Sequence, residues 1–404
     1  MDIIYSKNLT THKKHLENGN VLVLGSPGSG KTRGYILPNL LNATGENNII
    51  CLDPKGELFD STVETLKSKG YQCRKINFYD TTNSELRFNP FNYIDKNQDD
   101  ILRVSRLLVS ETFAHDKFWE LSAQTLCNAL ISYLCYYAPK HQQSLNSICK
   151  LARVYNNVEG SNEPSKLEKI FDEVAAKDPQ SWSLSQFRNV HTGASRTRAS
   201  IVISLLSEFN FLTEDIVKLT SEDNLELDKF CDGDQPQAIF IQINDIDRSK
   251  DKLAALFLSC VVQYLYKQAD QSPRHHLNRT TCFYLDDYGI VSKAFPNLAD
   301  ILAGARGRNI AFPGIVLQSL SQLDKQKDTV LNSCSDIIYM GTNDIDTAFY
   351  LSQRVNIPVS EVLQLDNHKM YVLQQGKKPV VDDKYDLNDH PVFKRRDESF
   401  EKEI

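Results

Sequence analysis

The chain has 404 residues, 41% hydrophobic and 24% charged, with a formal net charge of −6. That balance is ordinary for a globular protein, and the length allows two domains or one large domain with an insertion. The acidic balance excludes a protein that coats DNA with its outer surface, so any nucleic-acid contact must be local, as in a pore loop. Nine cysteines without CxxC or Cys/His ligand spacing exclude a disulfide scaffold and a zinc site.

In chain order, the polar start MDIIYSKNLTTHKKHLENG carries no signal peptide. No run of about 18 apolar residues follows anywhere, so no membrane span is expected. The most apolar window, TLCNALISYLCYYA at 125–138, is short, holds Asn128, and reads as a buried helix. The first strand-like run, NVLVLGS, leads into Gly25-Ser26-Pro27-Gly28-Ser29-Gly30-Lys31-Thr32, which fits G-x-x-x-x-G-K-[ST]. Glycines let the backbone curl so that N–H groups face a polyphosphate, and the helix that begins there adds its positive end. Lys31 is expected to reach the β and γ phosphates and Thr32 to bind Mg²⁺.

Apolar runs NNIICLDPKGE and YQCRKINFYD follow, and then the pattern changes. From about 118 to 215, apolar residues recur at three and four, which predicts an inserted all-α domain. Strand-like runs return with QAIFIQIND, TTCFYLDDYG, NIAFPGIVLQS and SDIIYMGT, with candidate helices between them. The segment HKMYVLQQGKKPVVDDKYD reads as two extended runs around Gly376, and KRRDESFEKEI as a frayed, solvated end. Alternating strands and helices predict a doubly wound α/β domain split as 1–117 and 216–404 around the insertion.

A phosphate-loop enzyme needs an acid at the end of another strand to hold the Mg²⁺ shell. CFYLDDYG supplies Asp286 for that role, and Asp287 stands where a motor ATPase places a Glu to orient the attacking water. Asp is one methylene shorter, which reduces its reach. Asp53, at the end of NNIICLD, is a rival acidic strand end. The long separation of Lys31 from Asp286 disfavours a small kinase or switch GTPase. It favours a large motor-type domain with an insertion. Arg306 and Arg308, in GARGRNI, read either as a charge-neutralising finger supplied to a neighbouring subunit or as a solvated pair at a helix end. Gln318 reads either as a γ-phosphate sensor or as a strand-end hydrogen-bonding group. Arg196 and Arg198, in HTGASRTRAS, read as a solvated helix start or a contact to DNA or a partner.

Several of these stretches together resemble the TraG-type coupling-protein ATPases of type IV secretion and conjugation. They are GKTRGYILPNLL, DPKGEL at 53–58, FNP at 88–90, DKFWELSAQTLCNALISYL, the region from YLDDYG to SLSQL, and the LNSCSDIIYMGT and KYDLNDHPVF stretches near the end. The resemblance implies a RecA-like P-loop nucleotide-binding domain with an inserted all-α domain. It implies ATP and Mg²⁺ as cofactors, at the interfaces of a homo-oligomer, a hexamer when active. The implied partners are DNA, relaxase or effector protein substrates, the secretion channel, reached from the cytoplasm at the inner face of the membrane, and a membrane-anchored partner. By motif, residues 25–32 bind the nucleotide, Asp286 is the Walker B acid, Asp287 holds the usual Glu position, Arg306 or Arg308 is the finger and Gln318 the sensor. Asp53, Lys55 and Glu57 belong to the family motif and either orient the site or fix a strand-to-helix turn. The family's N-terminal transmembrane hairpin has no counterpart ahead of Gly25, which implies a shortened chain or a member that docks on a membrane partner. Two alternatives remain at this point: a HerA- or FtsK-like DNA translocase, and a nucleotide-binding substrate adaptor with little hydrolysis.

Overall fold

The computed structural model describes residues 1–14, 16–109, 117–155, 163–244, 247–292, 295 and 297–393. The charge-rich tail 394–404, and His15, Asp116, Asp245, Lys293, Ala294 and Pro296 of the quoted runs, lie outside the described residues. The chain forms two compact units. One comprises Met1–Tyr79, Glu226–Arg248 and Val262–Ile404; the other comprises Asp80–Leu225 and Ser249–Val261.

The first unit holds a short antiparallel hairpin, β1 (Asp2–Ile4) with β2 (Thr10–His12), and a larger sheet. The sheet strands in chain order are β3 (Val21–Leu24), β4 (Asn47–Leu52), β5 (Gln72–Asn77), β6 (Gln237–Gln242), β7 (Thr280–Leu285), β8 (Ile310–Leu317), β9 (Asp336–Tyr339), β10 (Lys369–Gln374) and β11 (Val380–Asp383). In space the order is β11-β10-β9-β3-β8-β7-β4-β6-β5. From β9 to β5 every pairing is parallel, while β10 and β11 add antiparallel strands at one edge. Parallel strands with both faces covered need continuous apolar sequence. VLVL, the IICL end of β4 and TCFYL after Thr280 supply it, and these residues are buried. Val21, Val23, Ile49, Cys51, Phe240, Tyr284, Val316 and Ile338 share one core with helical residues Tyr35, Ile36, Leu40, Leu58 and Leu66.

Pro313 lies inside β8, which has a neighbour on each side. Proline cannot donate to a ladder and is normally excluded from such a strand. Here the β7–β8 register slips between Cys282 and Tyr284, so a bulge absorbs the missing donor. The freed Pro313 carbonyl accepts from Tyr35 Oη at 2.6 Å.

The second unit is helical. Its helices include Gln98–Leu108, Lys117–Tyr136, Leu145–Arg153, Lys166–Lys177, Trp182–His191, Ser195–Ser207 and Glu214–Leu219. Ala123, Leu126, Cys127, Leu130 and Leu134 form the buried stripe of the long helix, and Asn128 beside them accepts from Ser105 Oγ. Phe171 and Phe187 stack with ring centroids 4.0 Å apart. This unit is wider than the 118–215 segment read from helical periodicity. The reason is visible in FNP: Asn89 N donates to Asp223 Oδ2 at 3.0 Å, Tyr93 Oη to Asp223 Oδ1 at 2.7 Å, and Phe88 N to the Leu219 carbonyl at 3.0 Å. These bonds sew the short 3-10 turn Pro90–Tyr93 and the residues before it to 219–223, at the end of the helix Glu214–Leu219, stretches too short for periodicity to reveal.

All nine cysteines are buried free thiols. Among the described residues, no helix is long and apolar enough to cross a membrane.

Candidate nucleotide site

The loop 25–32 leaves the carboxyl end of β3, and Gly28 (φ 76°) and Gly30 (φ 88°) take the left-handed backbone that curls it. Gly25 is fixed for another reason: an added Cβ would sit 2.5 Å from Ser29 Oγ. The Gly25 N–H donates to the Leu317 carbonyl at 3.1 Å and the Ser26 N–H to the Gly341 carbonyl at 2.8 Å, tying the loop to the strand ends on both sides. Lys31 is buried, and its Nζ donates to the carbonyls of Gly25 (2.6 Å) and Ser26 (2.9 Å). Burial pushes its pKa down, against the pull of Asp287 and Asp286. Ser29 Oγ is buried with no hydrogen-bond partner among the described residues. An orphaned hydroxyl inside a curl of positive-φ glycines suits an anion, so the residues present fit a nucleoside polyphosphate.

The helix after the loop opens as a π-turn, Thr32–Ile36, before the α-helix Leu37–Leu41. Pro38 has no N–H to give the carbonyl four residues back, and such a loss commonly coincides with a widened turn. Asn39, the last residue of LPN, grips β1: its Nδ2 donates to the Ile4 carbonyl and its Oδ1 accepts from Ile4 N, both at 2.9 Å.

The acids converge on this loop. Thr32 Oγ1 donates to Asp286 Oδ2 at 2.9 Å, joining the loop to the end of β7. Burial pushes the Asp286 carboxyl up to about 6, with Thr32 pulling the other way and Asp287 adding to the rise. Asp53 ends β4, adjacent to β7, where Asp286 N donates to the Leu52 carbonyl at 3.3 Å. Asp53 accepts from Leu58 N (3.2 Å) and Phe59 N (2.8 Å), capping the helix Glu57–Ser68. Gly56 turns into that helix at φ 77°, and a Cβ there would meet Gln242 Nε2 at 2.9 Å. DPKGEL therefore builds a strand-to-helix turn through Asp53 and Gly56, while the Lys55 and Glu57 side chains are exposed.

Asp287 sits in the left-handed region at φ 48°, ψ 44°. Asp tolerates that backbone better than most residues do. Gln318, at the end of β8, donates from Nε2 to Asp287 Oδ1 at 3.2 Å. The structure thus groups Lys31, Thr32, Asp286, Asp287 and Gln318. It does not bring Arg306 or Arg308 to them. Both precede β8, at the amino end of an eight-residue strand whose carboxyl end carries Gln318. That is about 25 Å at ~3.3 Å per residue. Arg308 is tied down: Nη2 donates to Asp270 Oδ2 (2.9 Å), Nη1 to the Gly304 carbonyl (3.1 Å), and the guanidinium lies 4.6 Å from the Tyr266 ring centre. The Arg306 side chain is exposed and bonds to no described residue. In the helical unit Arg198 bonds the His191 carbonyl at 3.2 Å, while Arg196 is exposed.

Sequence reasoning passed over Lys384, whose Nζ donates to the Ser29 carbonyl at 2.8 Å. Its signal was the KYD of the family-like C-terminal stretch.

A parallel sheet whose loop threonine is hydrogen-bonded to an acid from a non-adjacent strand defines the RecA-like P-loop fold class. Within that class the chain belongs to the type IV secretory system conjugative DNA transfer family, whose profile matches residues 3–356. Its function accordingly lies in type IV secretion coupling. Among solved structures, the unbound conjugative coupling protein TrwBΔN70 is similar at 16% identity and TM-score 0.65, over 90% of this chain and 84% of that one. TrwB with ADP and Mg²⁺ is similar at 16% identity and TM-score 0.65, over 93% and 89%. VirB4 of Thermoanaerobacter pseudethanolicus is similar at 12% identity and TM-score 0.55, over 94% and 95%. At these identities the likeness concerns the fold. No curated protein sequence matches the chain.

Proposed function

We propose that the protein is an ATP- and Mg²⁺-dependent coupling ATPase that receives DNA, relaxase or effector protein substrates and delivers them to the secretion channel. The observation that carries this reading is the 2.9 Å bond from Thr32 to Asp286 beside Lys31, which brings the two halves of a triphosphate site together from distant parts of the chain. TrwB, of the same fold, has been solved with ADP and Mg²⁺ and with the ATP analogue ADPNP, which supports the choice of cofactor. Thr32 and Asp286 would hold Mg²⁺, which neutralises phosphate charge when bound. Lys31 exchanges its two loop carbonyls for phosphate oxygens, Asp287 orients the attacking water, and Gln318, bonded to Asp287, senses the γ-phosphate.

Arg306 completes the site from a second copy of the chain. It is free, and it lies at the wrong end of the sheet to serve its own nucleotide. A closed ring, a hexamer, satisfies every site in this way. In the cell the ring works from the cytoplasm at the inner face of the membrane, docked through partners.

The test is ATP turnover of the purified chain with and without single- and double-stranded DNA. Stimulation by DNA, abolished by Lys31→Ala, supports the motor. A second reading, an adaptor that binds ATP and hardly hydrolyses it, is favoured by the short side chain and left-handed backbone of Asp287. It is selected if the wild type shows no turnover and Asp287→Glu restores it.

A further inference from the structure

Lys384 follows β11, and its backbone N–H donates to the His368 carbonyl at 2.8 Å, so the residue is held on the β10–β11 hairpin. Its Nζ reaches across to the phosphate loop, donating to the Ser29 carbonyl (2.8 Å) and to the Met340 carbonyl at the end of β9 (3.0 Å). The segment that carries it packs closely on the helix after the loop: a Cβ on Gly34 would lie 3.4 Å from the Tyr385 carbonyl. Lys384 also lines an open chamber of about 450 Å³ whose wall includes Gly28, Ser29, Gly30 and Arg33.

Two consequences follow from elementary geometry and charge. A trans peptide points its C=O and N–H in opposite directions. With the Ser29 carbonyl held by Lys384, the Gly30 N–H is turned to the opposite side, and it donates to no described residue. In a curl of this kind the inward N–H groups are what a phosphate meets. Secondly, Lys384 makes its hydrogen bonds to neutral carbonyls, and burial together with the nearby Lys31 ammonium pushes its pKa down. Two ammonium groups held near each other in a partly buried setting create a site that a polyanion relieves.

We propose that Lys384 is a positioning residue of the phosphate site: it fixes the Ser29–Gly30 peptide so that Gly30 N–H faces the polyphosphate, and it sets a second positive charge behind the loop. This rests on the nucleotide reading of residues 25–32 given above.

The test is calorimetric titration of the full chain with Mg²⁺-ATP and Mg²⁺-ADP, at low and high salt, for the wild type, Lys31→Ala, Lys384→Met and Lys384→Arg. Lys384→Met is expected to weaken ATP binding roughly 10-fold, the usual scale for a charge-assisted hydrogen bond. The loss should be smaller for ADP, and the salt dependence shallower, because one positive charge is gone. Lys384→Arg should recover most of the affinity. Equal losses for ATP and ADP with no rescue by Arg would mean a merely structural brace and overturn the proposal, as would wild-type affinity in Lys384→Met. A wild type that binds neither nucleotide, or a Lys31→Ala that binds both normally, defeats the nucleotide reading itself.

Discussion

At the amino ends of the parallel strands, neutral amides close the backbone. Asn20, ahead of β3, accepts from Phe312 N at 3.0 Å; Asn48, in β4, accepts from Gln237 N at 3.0 Å; Asn309, ahead of β8, donates to the Leu277 carbonyl at 3.0 Å. At the carboxyl ends the same strands finish in charge: Lys31 after β3, Asp53 after β4, Asp286 after β7. A buried amide with its partners in place costs little desolvation, whereas a buried carboxylate or ammonium costs a great deal unless a ligand compensates it. One end of the sheet is therefore built for stability. The other stores unfavourable charge burial, visible in the raised carboxyls of Asp53 and Asp286, that binding can release. This is the expected polarity of an open α/β sheet, where ligands sit outside the carboxyl ends. Arg306 is the exception, a free charge at the stability end.

The comparison breaks most visibly at Arg306. If it serves a neighbour's nucleotide, Arg306→Ala lowers DNA-stimulated turnover roughly 1,000-fold while stability stays within about 0.5 kcal/mol. Arg308→Ala should do the reverse, with a loss of about 0.5–1 kcal/mol measured by urea unfolding and near-normal turnover, because it removes a half-exposed ion pair with Asp270 and the donor to the Gly304 carbonyl. Matching turnover losses for both would dissolve the distinction. The buried pair Lys13–Asp336, 2.7 Å apart, belongs to the stability end. Lys13→Met leaves Asp336 with only Tyr5 and Ser335, so a loss of about 3 kcal/mol is expected, with ATP affinity unchanged. Asn20→Ala, which orphans Phe312 N, should cost about 1–3 kcal/mol and likewise spare the nucleotide.

A further effect is a pH dependence at the binding end. Burial raises the Asp53 carboxyl from 3.8 to about 6, so the folded state holds a proton that the unfolded state has already released. Its contribution to stability is full below pH about 3.8 and is lost as the pH rises through about 6. The wild type should therefore gain on the order of 1–3 kcal/mol relative to Asp53→Asn between pH 7 and pH 4. Parallel stability curves for the two proteins would show that Asp53 keeps its charge.

The phosphate loop, the alternating strands and the β10–β11 pair were legible because each is a local pattern. DPKGEL offered two roles, and only the backbone bonds from Leu58 and Phe59 to Asp53 choose the turn. The hairpin of β1 and β2 escaped because each strand has three residues and β1 is held by a distant Asn39. NIAFPGIVLQS reads as a strand, but the slip by which its central position accommodates Pro313 is visible only in the register. The KYD stretch marked Lys384 in the sequence without giving it a role, since that role lies in a carbonyl 355 positions earlier.

The buried thiols give the protein an internal record of its own opening. Cys51, Cys73, Cys231, Cys282 and Cys334 lie in the sheet unit, and Cys127, Cys135, Cys149 and Cys260 in the helical unit. Alkylating reagents attack the thiolate, and burial pushes the Cys127 and Cys282 thiols well above their ordinary pKa. Each site is labelled only when its surroundings transiently unfold, at a rate set by the local opening equilibrium. Mass-tagging of the native cysteines, with nothing engineered, thus clocks the two units separately, and ligand at the phosphate loop should slow Cys51 and Cys282 before it slows Cys127.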